Sequence, residues 1–202
     1  MPDPFPNPEQ TNPSLLRRIK DRRNENAWSE FDALYRPMLR RFARIRGLGD
    51  ADTEDVVQYC MTSICMNIEK FTYDPSRGRF KSWLRTMVNN RCRDLLRSRR
   101  QPTAEINAAD QVPADDASPQ EAFDRIWIDE HVNHCLRTIR REVDEPTFMA
   151  FQRYVLEGQP ADDVCRELEL TPERLYKIKW RLTKLLRERV RDLIGDDHHW
   201  PD

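Results

Sequence analysis

Cationic side chains, which could bind an anionic ligand by charge, are concentrated in one segment, residues 77–100. Nine of its 24 residues are lysine or arginine and one is acidic, so its net charge is +8, although the whole 202-residue chain sums to −1. Each phosphate that a cation neutralises releases condensed counterions, so such a segment suits a polyanion. Its Trp83, Asn89 and Asn90 could also stack on bases or hydrogen-bond to them. The segment therefore predicts nucleic-acid binding, and a solvated helix surface is the plainer alternative.

A second cationic segment, residues 174–191, has eight basic residues and one acid. It follows a short predicted helix at residues 160–168 and a predicted cap at Thr171 and Pro172. A short helix, a tight turn and a capped long helix form the helix-turn-helix layout, whose second helix lies in the major groove with its first residues at base edges. Helical hairpins that do not bind DNA share this spacing, but the basic second helix favours DNA binding.

The sequence lacks the residue patterns that carry catalysis. It has no glycine-rich phosphate loop, no nucleophile elbow and no HExxH motif, so we predict no enzymatic activity and no cofactor. His131, His134 and Cys135 could share a zinc ion, because residues three or four apart lie on one helix face. No fourth ligand is evident, however, and Cys135 belongs to an apolar stripe. The sequence therefore predicts no metal site.

Cysteine usage and hydropathy indicate the compartment. The five cysteines are scattered without a CxxC pair, which favours reduced thiols in the cytoplasm. No run approaches the roughly 18 apolar residues of a membrane span. The proline-rich N-terminus has no apolar core of the kind that a signal peptide needs. We therefore expect a cytoplasmic protein that does not insert into a membrane.

Apolar residues three or four apart predict helices through most of the chain. The first clear stripe is Trp28, Phe31, Leu34, Tyr35, Met38, Leu39 and Phe42. An interior proline, Pro37, should kink this helix, and Gly47 and Gly49 should end it. The predicted fold class is all-α, with two small helical domains joined by a flexible acidic linker, the C-terminal one a helix-turn-helix.

Composition and capping signals divide the chain into domains. Residues 101–117 contain four acids and no lysine, arginine or aromatic residue, so they cannot bury enough apolar area to offset their ordering entropy. Ser118 and Glu121 form a capping box with Pro119 at the first helical position, which predicts the start of the second domain. The predicted limits are a disordered leader at 1–13, a first domain at 14–100, a flexible linker at 101–117, a second domain at 118–195 and a tail at 196–202.

Three stretches together resemble a known family. They are ADTEDVVQ at residues 51–58, FTYDPSRGRFKSWLRTMVNNRCRDLLR at residues 71–97, and the helix-turn-helix that follows the acidic linker. Residues 24–100 and 118–192 resemble a small two-domain sigma factor of bacterial RNA polymerase, of the extracytoplasmic-function type. The second stretch is the specific part, whereas the C-terminal half alone would indicate only a DNA-binding module.

The resemblance implies a role for each surface. The outward face of the second helix would bind the polymerase core, on the clamp coiled coil of its largest subunit, through Asp52, Asp55, Gln58 and Tyr59. The promoter element near −10 would be engaged and opened by Tyr73, Phe80, Trp83, Asn89, Asn90, Arg91 and Arg97. The element near −35 would be read by Thr171, Glu173, Arg174, Tyr176, Lys177 and Arg181.

The function that the resemblance implies is that of a sigma factor, which binds RNA polymerase core and directs promoter recognition, DNA opening and transcription initiation. Its partners would be core polymerase and promoter DNA, with an anti-sigma factor as a further candidate. A stand-alone helix-turn-helix regulator and a helical adaptor that binds only protein are the alternatives. The flexible acidic tether favours the sigma factor over the regulator, because it suits DNA-binding elements held apart by a large partner. The two basic segments count against the adaptor.

Overall fold

The computed structural model describes residues 13–71, 80–99 and 118–194. Regular structure in these ranges is helical throughout, which confirms the predicted all-α fold class. The helices are α1 (Pro13–Arg18), α2 (Glu25–Ile45), α3 (Asp50–Asn67), α4 (Phe80–Arg99), α5 (Pro119–Glu142), α6 (Glu145–Phe151), α7 (Ala161–Glu167) and α8 (Pro172–Ile194). A π-helical turn at Gln152–Leu156 continues α6. Among these described helices, none combines the length and the apolar character that crossing a membrane requires.

The described residues form two compact units, which divide between Glu130 and His131, inside α5. The predicted domain limits stay a prediction, because the linker at 101–117 and the tail at 196–202 lie outside the described residues, as does nearly all of the leader. Unit 1 denotes below the described residues up to Glu130, and unit 2 those from His131 onward.

The start and the end of α2 follow local sequence signals. The side-chain oxygen of Asn24 accepts a hydrogen bond from the backbone N–H of Ala27 at 3.0 Å, which satisfies one of the free amides of the first turn. The helix then continues for 21 residues through Pro37, so the proline does not end it. Gly47 adopts a φ of +84°, a left-handed conformation that glycine takes readily, and α3 begins after Gly49.

Unit 1 packs α2, α3 and α4 around one aromatic and aliphatic core. Its buried side chains include Phe31, Tyr35, Met38, Phe42, Val56, Ile64, Phe80, Leu84 and Val88. Those of α2 belong to the apolar stripe predicted from the sequence. Burying one large apolar side chain contributes roughly 1.5–3 kcal/mol, and short helices depend on such packing more than on their own propensity. The first half of α5 also belongs to this unit.

Unit 2 packs α6, α7 and α8 around a second core, which includes Ile139, Phe148, Phe151, Val164, Leu175, Ile178 and Leu182. At the start of α6 the carboxylate of Asp144 accepts hydrogen bonds from the backbone N–H and the hydroxyl of Thr147, both at 2.9 Å. These bonds hold the pKa of Asp144 below its usual value. Between α7 and α8, Glu169 has a φ of 52°, which makes the turn tight.

Burial governs the chemistry of three of the five free cysteines. Loss of hydration raises the pKa of the Cys60 and Cys92 thiols to about 12 and that of Cys135 to about 11. Because the thiolate is the reactive form, these three side chains are held in an inert state at neutral pH. The burial of Cys135 agrees with the apolar stripe to which the sequence assigned it.

Candidate nucleic-acid interface

The outward face of α3 carries three of the side chains that the resemblance assigned to polymerase binding. The helix turns Val56, Val57 and Cys60 into the core, so the side chains between them face solvent. Asp55 and Gln58 are exposed, and the ring of Tyr59 is 46% exposed. A half-exposed tyrosine offers both an apolar body and a hydroxyl, which makes it a suitable contact for a partner.

Three acids near the start of α3, Asp50, Asp52 and Glu54, are engaged in ion pairs. Asp52 pairs with Arg99 at the end of α4. Glu54 accepts two hydrogen bonds from the guanidinium of Arg40, at 2.6 and 2.9 Å, and this bidentate contact holds the pKa of the Glu54 carboxyl below its usual value. Asp52 thus ties α3 to α4.

Phe80 lies in the core of unit 1, although it was predicted to contact promoter DNA. Its side chain is fully buried and packs edge-on against Tyr35, with ring centroids 5.4 Å apart. Its ring centroid is 5.7 Å from that of Trp83. While unit 1 is folded, Phe80 therefore packs against Trp83 from the core side, and its buried ring cannot contact a base.

The other described residues predicted to contact the −10 element lie along the outer side of α4. Trp83, Asn89 and Arg91 are half-buried, whereas Asn90 and Arg97 are exposed. Arg97 pairs with Asp94 on the same helix at 3.3 Å, and its side chain stays 80% exposed. Tyr73, which was also predicted to contact this element, lies outside the described residues.

An open cleft of about 430 Å³ lies between the end of α3 and the start of α4. The described residues that line it are Tyr59, Ser63, Asn67, Lys70, Phe71, Trp83 and Met87. The rings of Phe71 and Trp83 are 5.2 Å apart and inclined by 32°, so they form a continuous aromatic wall. Aromatic walls beside a few polar groups can hold an unstacked nucleobase.

Arg91 lies over the ring of Tyr59, with 4.9 Å between the guanidinium carbon and the ring centroid. This cation–π contact joins a residue predicted to bind polymerase to a residue predicted to bind promoter DNA. Tyr59 also lines the cleft. The two surfaces that the sequence treated as separate therefore share an edge.

Several cleft residues were missed by the sequence prediction, among them Ser63, Asn67 and Met87. A signal for them existed, since Tyr59, Ser63 and Asn67 are four positions apart in α3, as are Trp83 and Met87 in α4. Residues four apart share one face of a helix. Recognising these two rows as facing walls requires the pairing of α3 with α4, which the spacing alone does not provide.

All six residues predicted to read the −35 element are exposed at the start of α8 or just before it. The backbone N–H of Arg174 donates to the Thr171 hydroxyl at 3.3 Å, so Thr171 caps the helix. Hydrogen bonds from its own backbone N–H and from the Thr171 side chain hold the pKa of Glu173 below its usual value. Leu175 and Ile178 are buried on the opposite side and fix which face of α8 is free.

Trp180 is an exposed aromatic residue that the site prediction left out. Its side chain is 68% exposed, and Lys184 Nζ lies 5.3 Å from its ring centroid. It follows Tyr176 by one helical turn, and Tyr176 is 51% exposed. One edge of α8 therefore presents two aromatic side chains and a cation to solvent.

Comparison with known proteins bears chiefly on unit 1. Residues 32–101, which contain most of α2 and all of α3 and α4, match the Sigma-70 region 2 family. The ECF RNA polymerase sigma factor RpoE of Cereibacter sphaeroides is 31% identical to this chain over 109 residues, which are 54% of this chain and 57% of RpoE. The chain thus spans little more than half the length of that relative. Among solved structures, CnrH in complex with the cytosolic domain of CnrY aligns with 89% of this chain and 96% of its own, at 18% identity and a TM-score of 0.37.

Proposed function

We propose that this chain binds RNA polymerase core and directs promoter recognition, DNA opening and transcription initiation. The premise is that it belongs with the extracytoplasmic-function sigma factors, which rests on the sigma-70 region 2 domain at residues 32–101 and on the similarity to RpoE. The resemblance read from residues 51–58 and 71–97 is thereby confirmed at the level of the family. The observation that carries the proposal is the meeting of three features on one unit: the exposed face of α3, the aromatic cleft and the outer side of α4.

The core polymerase is proposed to bind the exposed face of α3, through Asp55, Gln58 and Tyr59. These side chains point away from the core of unit 1, so a partner can contact them without disturbing the fold. Asp52 is the fourth residue of the proposed surface, and its carboxylate also pairs with Arg99. A carboxylate, an amide and a phenol together offer hydrogen bonds and apolar area, as is usual at protein interfaces.

The −10 element is proposed to be opened and held at the cleft and on α4. Opening a duplex requires a place for the unstacked base, and stacking on an aromatic side chain contributes roughly 1–3 kcal/mol per base. Trp83 and Phe71 provide that wall. The exposed Asn90 and Arg97 are then available for base edges and phosphates of the same strand. The polymerase supplies the catalysis of RNA synthesis.

The −35 element is proposed to be read by the first turns of α8. Arg174, Lys177 and Arg181 are exposed there, and the hydrophobic side of the helix is occupied by the core of unit 2. In a helix-turn-helix protein the start of the second helix faces base edges in the major groove. Glu173 and Tyr176 at the same surface would then set the sequence preference.

The test is transcription by core polymerase on a promoter library, with and without the purified chain. We expect transcripts from defined start sites that depend on both the chain and the core. Gln58→Ala should weaken core binding, whereas Asn26→Ala, which removes an exposed side-chain amide of α2, should not. Specific DNA binding without core-dependent initiation would instead identify a stand-alone regulator.

A further inference from the structure

The first half of α5 forms an acidic amphipathic helix that packs inside unit 1. Its apolar residues Phe123 and Trp127 are 0% and 2% exposed. The ring of Phe123 lies 5.4 Å from that of Phe42, edge to face, and the ring of Trp127 lies 5.8 Å from that of Tyr35. Two aromatic anchors thus fix residues 119–130 on the face that α2 and α4 present.

The acids of this half-helix neutralise cations of unit 1. Asp124 lies 2.7 Å from Lys81 Nζ and 3.7 Å from the guanidinium of Arg85, both on α4. A second set of acids, Asp129 and Glu130, pairs with Arg41 of α2 at 2.8 and 3.5 Å. The Lys81 ammonium also lies 5.9 Å from the centre of the Trp127 ring. The docked helix therefore holds both cations of the first turns of α4.

We propose that the face formed by Tyr35, Phe42, Lys81 and Arg85 is a docking site for an acidic amphipathic helix, and that residues 119–130 occupy it in cis and mask these two cations from nucleic acid. The inference rests on the proposed function, because it takes α4 to be a nucleic-acid interface. Asp124 and a phosphate compete for the same ammonium and guanidinium groups, so docking of the helix and full engagement of α4 by DNA exclude each other.

The contacts of residues 119–130 support a helix that can leave this site and be replaced by another ligand. The ion pairs are partly exposed, with side-chain exposures of 28–41% for the three cations, so each is individually weak in water. Residues 101–117, most of the sequence between α4 and α5, carry four acids and no lysine or arginine, so this stretch adds no cation to hold the helix in place. The same chemistry defines a partner in trans: a helix with two aromatic anchors one turn apart, flanked by acids.

The test measures the salt dependence of binding between the full chain and a labelled oligo-dT strand. Asp124→Asn frees Lys81 and Arg85, so the slope of log K against log salt should become steeper by about 1.4, at about 0.7 for each additional phosphate neutralised on a single strand. Glu25→Gln is the matched control, because it removes one exposed carboxylate of unit 1 at the start of α2. A slope change for Asp124→Asn equal to that of the control would overturn the inference.

Hydrogen exchange of the full chain provides a second readout. Amides of residues 122–130 should exchange faster when oligo-dT saturates the chain, and unchanged protection would overturn the masking. Arg91→Ala separates this inference from the proposed function. If Arg91→Ala lowers the slope while Asp124→Asn matches its control, only the masking fails. If Arg91→Ala leaves the slope unchanged, α4 is not the interface and both proposals fail.

Discussion

Replacement of Trp83 by alanine tests the aromatic cleft directly. In the cleft, Trp83 forms a wall with Phe71, whose ring centroid is 5.2 Å away. If an unstacked base lies against this wall, removal of the indole should cost roughly 1–3 kcal/mol of binding free energy. At 1.4 kcal/mol per factor of ten, this is a loss of about fivefold to a little over a hundredfold in affinity. The strand to measure is the non-template strand of a promoter that the transcription experiment identifies.

The same replacement also removes ring contacts inside unit 1, and this loss must be separated from the loss of binding. Trp83 contacts Phe71 and Phe80, and each such aromatic pair contributes roughly 0.5–1.5 kcal/mol to stability. Trp28 is the matched control, because it is a half-buried tryptophan of the same unit that contacts Phe31 at 5.8 Å and does not line the cleft.

The assay compares the two variants in complex with core polymerase, by fluorescence anisotropy of the labelled strand, and their unfolding in urea. We expect both variants to lose stability and only Trp83→Ala to lose affinity for the strand. Strand affinity within twofold of wild type for Trp83→Ala would refute the proposed role of the cleft. An equal loss of strand affinity in Trp28→Ala would show that the lower affinity arises from the loss of stability alone.

Three further outcomes follow from described contacts. Phe80→Leu should keep strand affinity in complex with core polymerase, and Phe80→Ala should lower the free energy of unfolding of the purified chain by about 3–5 kcal/mol. A loss of affinity in a stable Phe80→Leu variant would show that the ring itself contacts DNA. Hydrogen bonds lower the pKa of Asp144 in the folded chain, so its carboxylate stabilises the fold above the pKa that Asp144 has in the unfolded chain, and this stabilisation is lost as pH falls through the lowered value. Asp144→Asn should therefore make the free energy of unfolding, measured in urea between pH 2 and 6, less dependent on pH. A pH dependence as steep as that of wild type would contradict this. The half-buried Cys65 and Cys165 should react first with a thiol reagent at pH 8, whereas the buried Cys60, Cys92 and Cys135 should not react until the chain unfolds. Mass spectrometry locates the modified residues, and early modification of Cys60 or Cys92 would contradict their burial.

Features encoded within a few neighbouring residues could be predicted from the sequence. The capping box is found as expected: the Ser118 N–H donates to Glu121 Oε2 at 2.8 Å, and the Glu121 N–H donates to Ser118 Oγ at 3.2 Å. The stripe of α2 is likewise the buried face of that helix, with Trp28 half-buried at its start. Local hydrogen bonds and helical periodicity depend on residues at most four positions apart, so a sequence can specify them directly.

Features that depend on how helices pair could not be predicted in this way. Phe80 belongs by spacing to the stripe of Leu84 and Val88, and its burial follows from that period, yet the resemblance placed it at the DNA. The stripe of α5 predicts a buried face, but it does not identify Phe42 as the residue against which Phe123 packs. These are tertiary contacts between distant residues, and periodicity carries no information about the partner of a stripe.

The stacked pair of Arg91 and Tyr59 has a consequence for how the two proposed partners influence each other. A polymerase that binds the Tyr59 ring competes with the Arg91 guanidinium for that ring, so Arg91 becomes available to the nucleic acid. Thermodynamic linkage is reciprocal, so a promoter that binds the arginine must raise the affinity of the chain for the polymerase by the same factor. A single side-chain contact would thereby make assembly on the correct DNA cooperative, without any movement of the backbone.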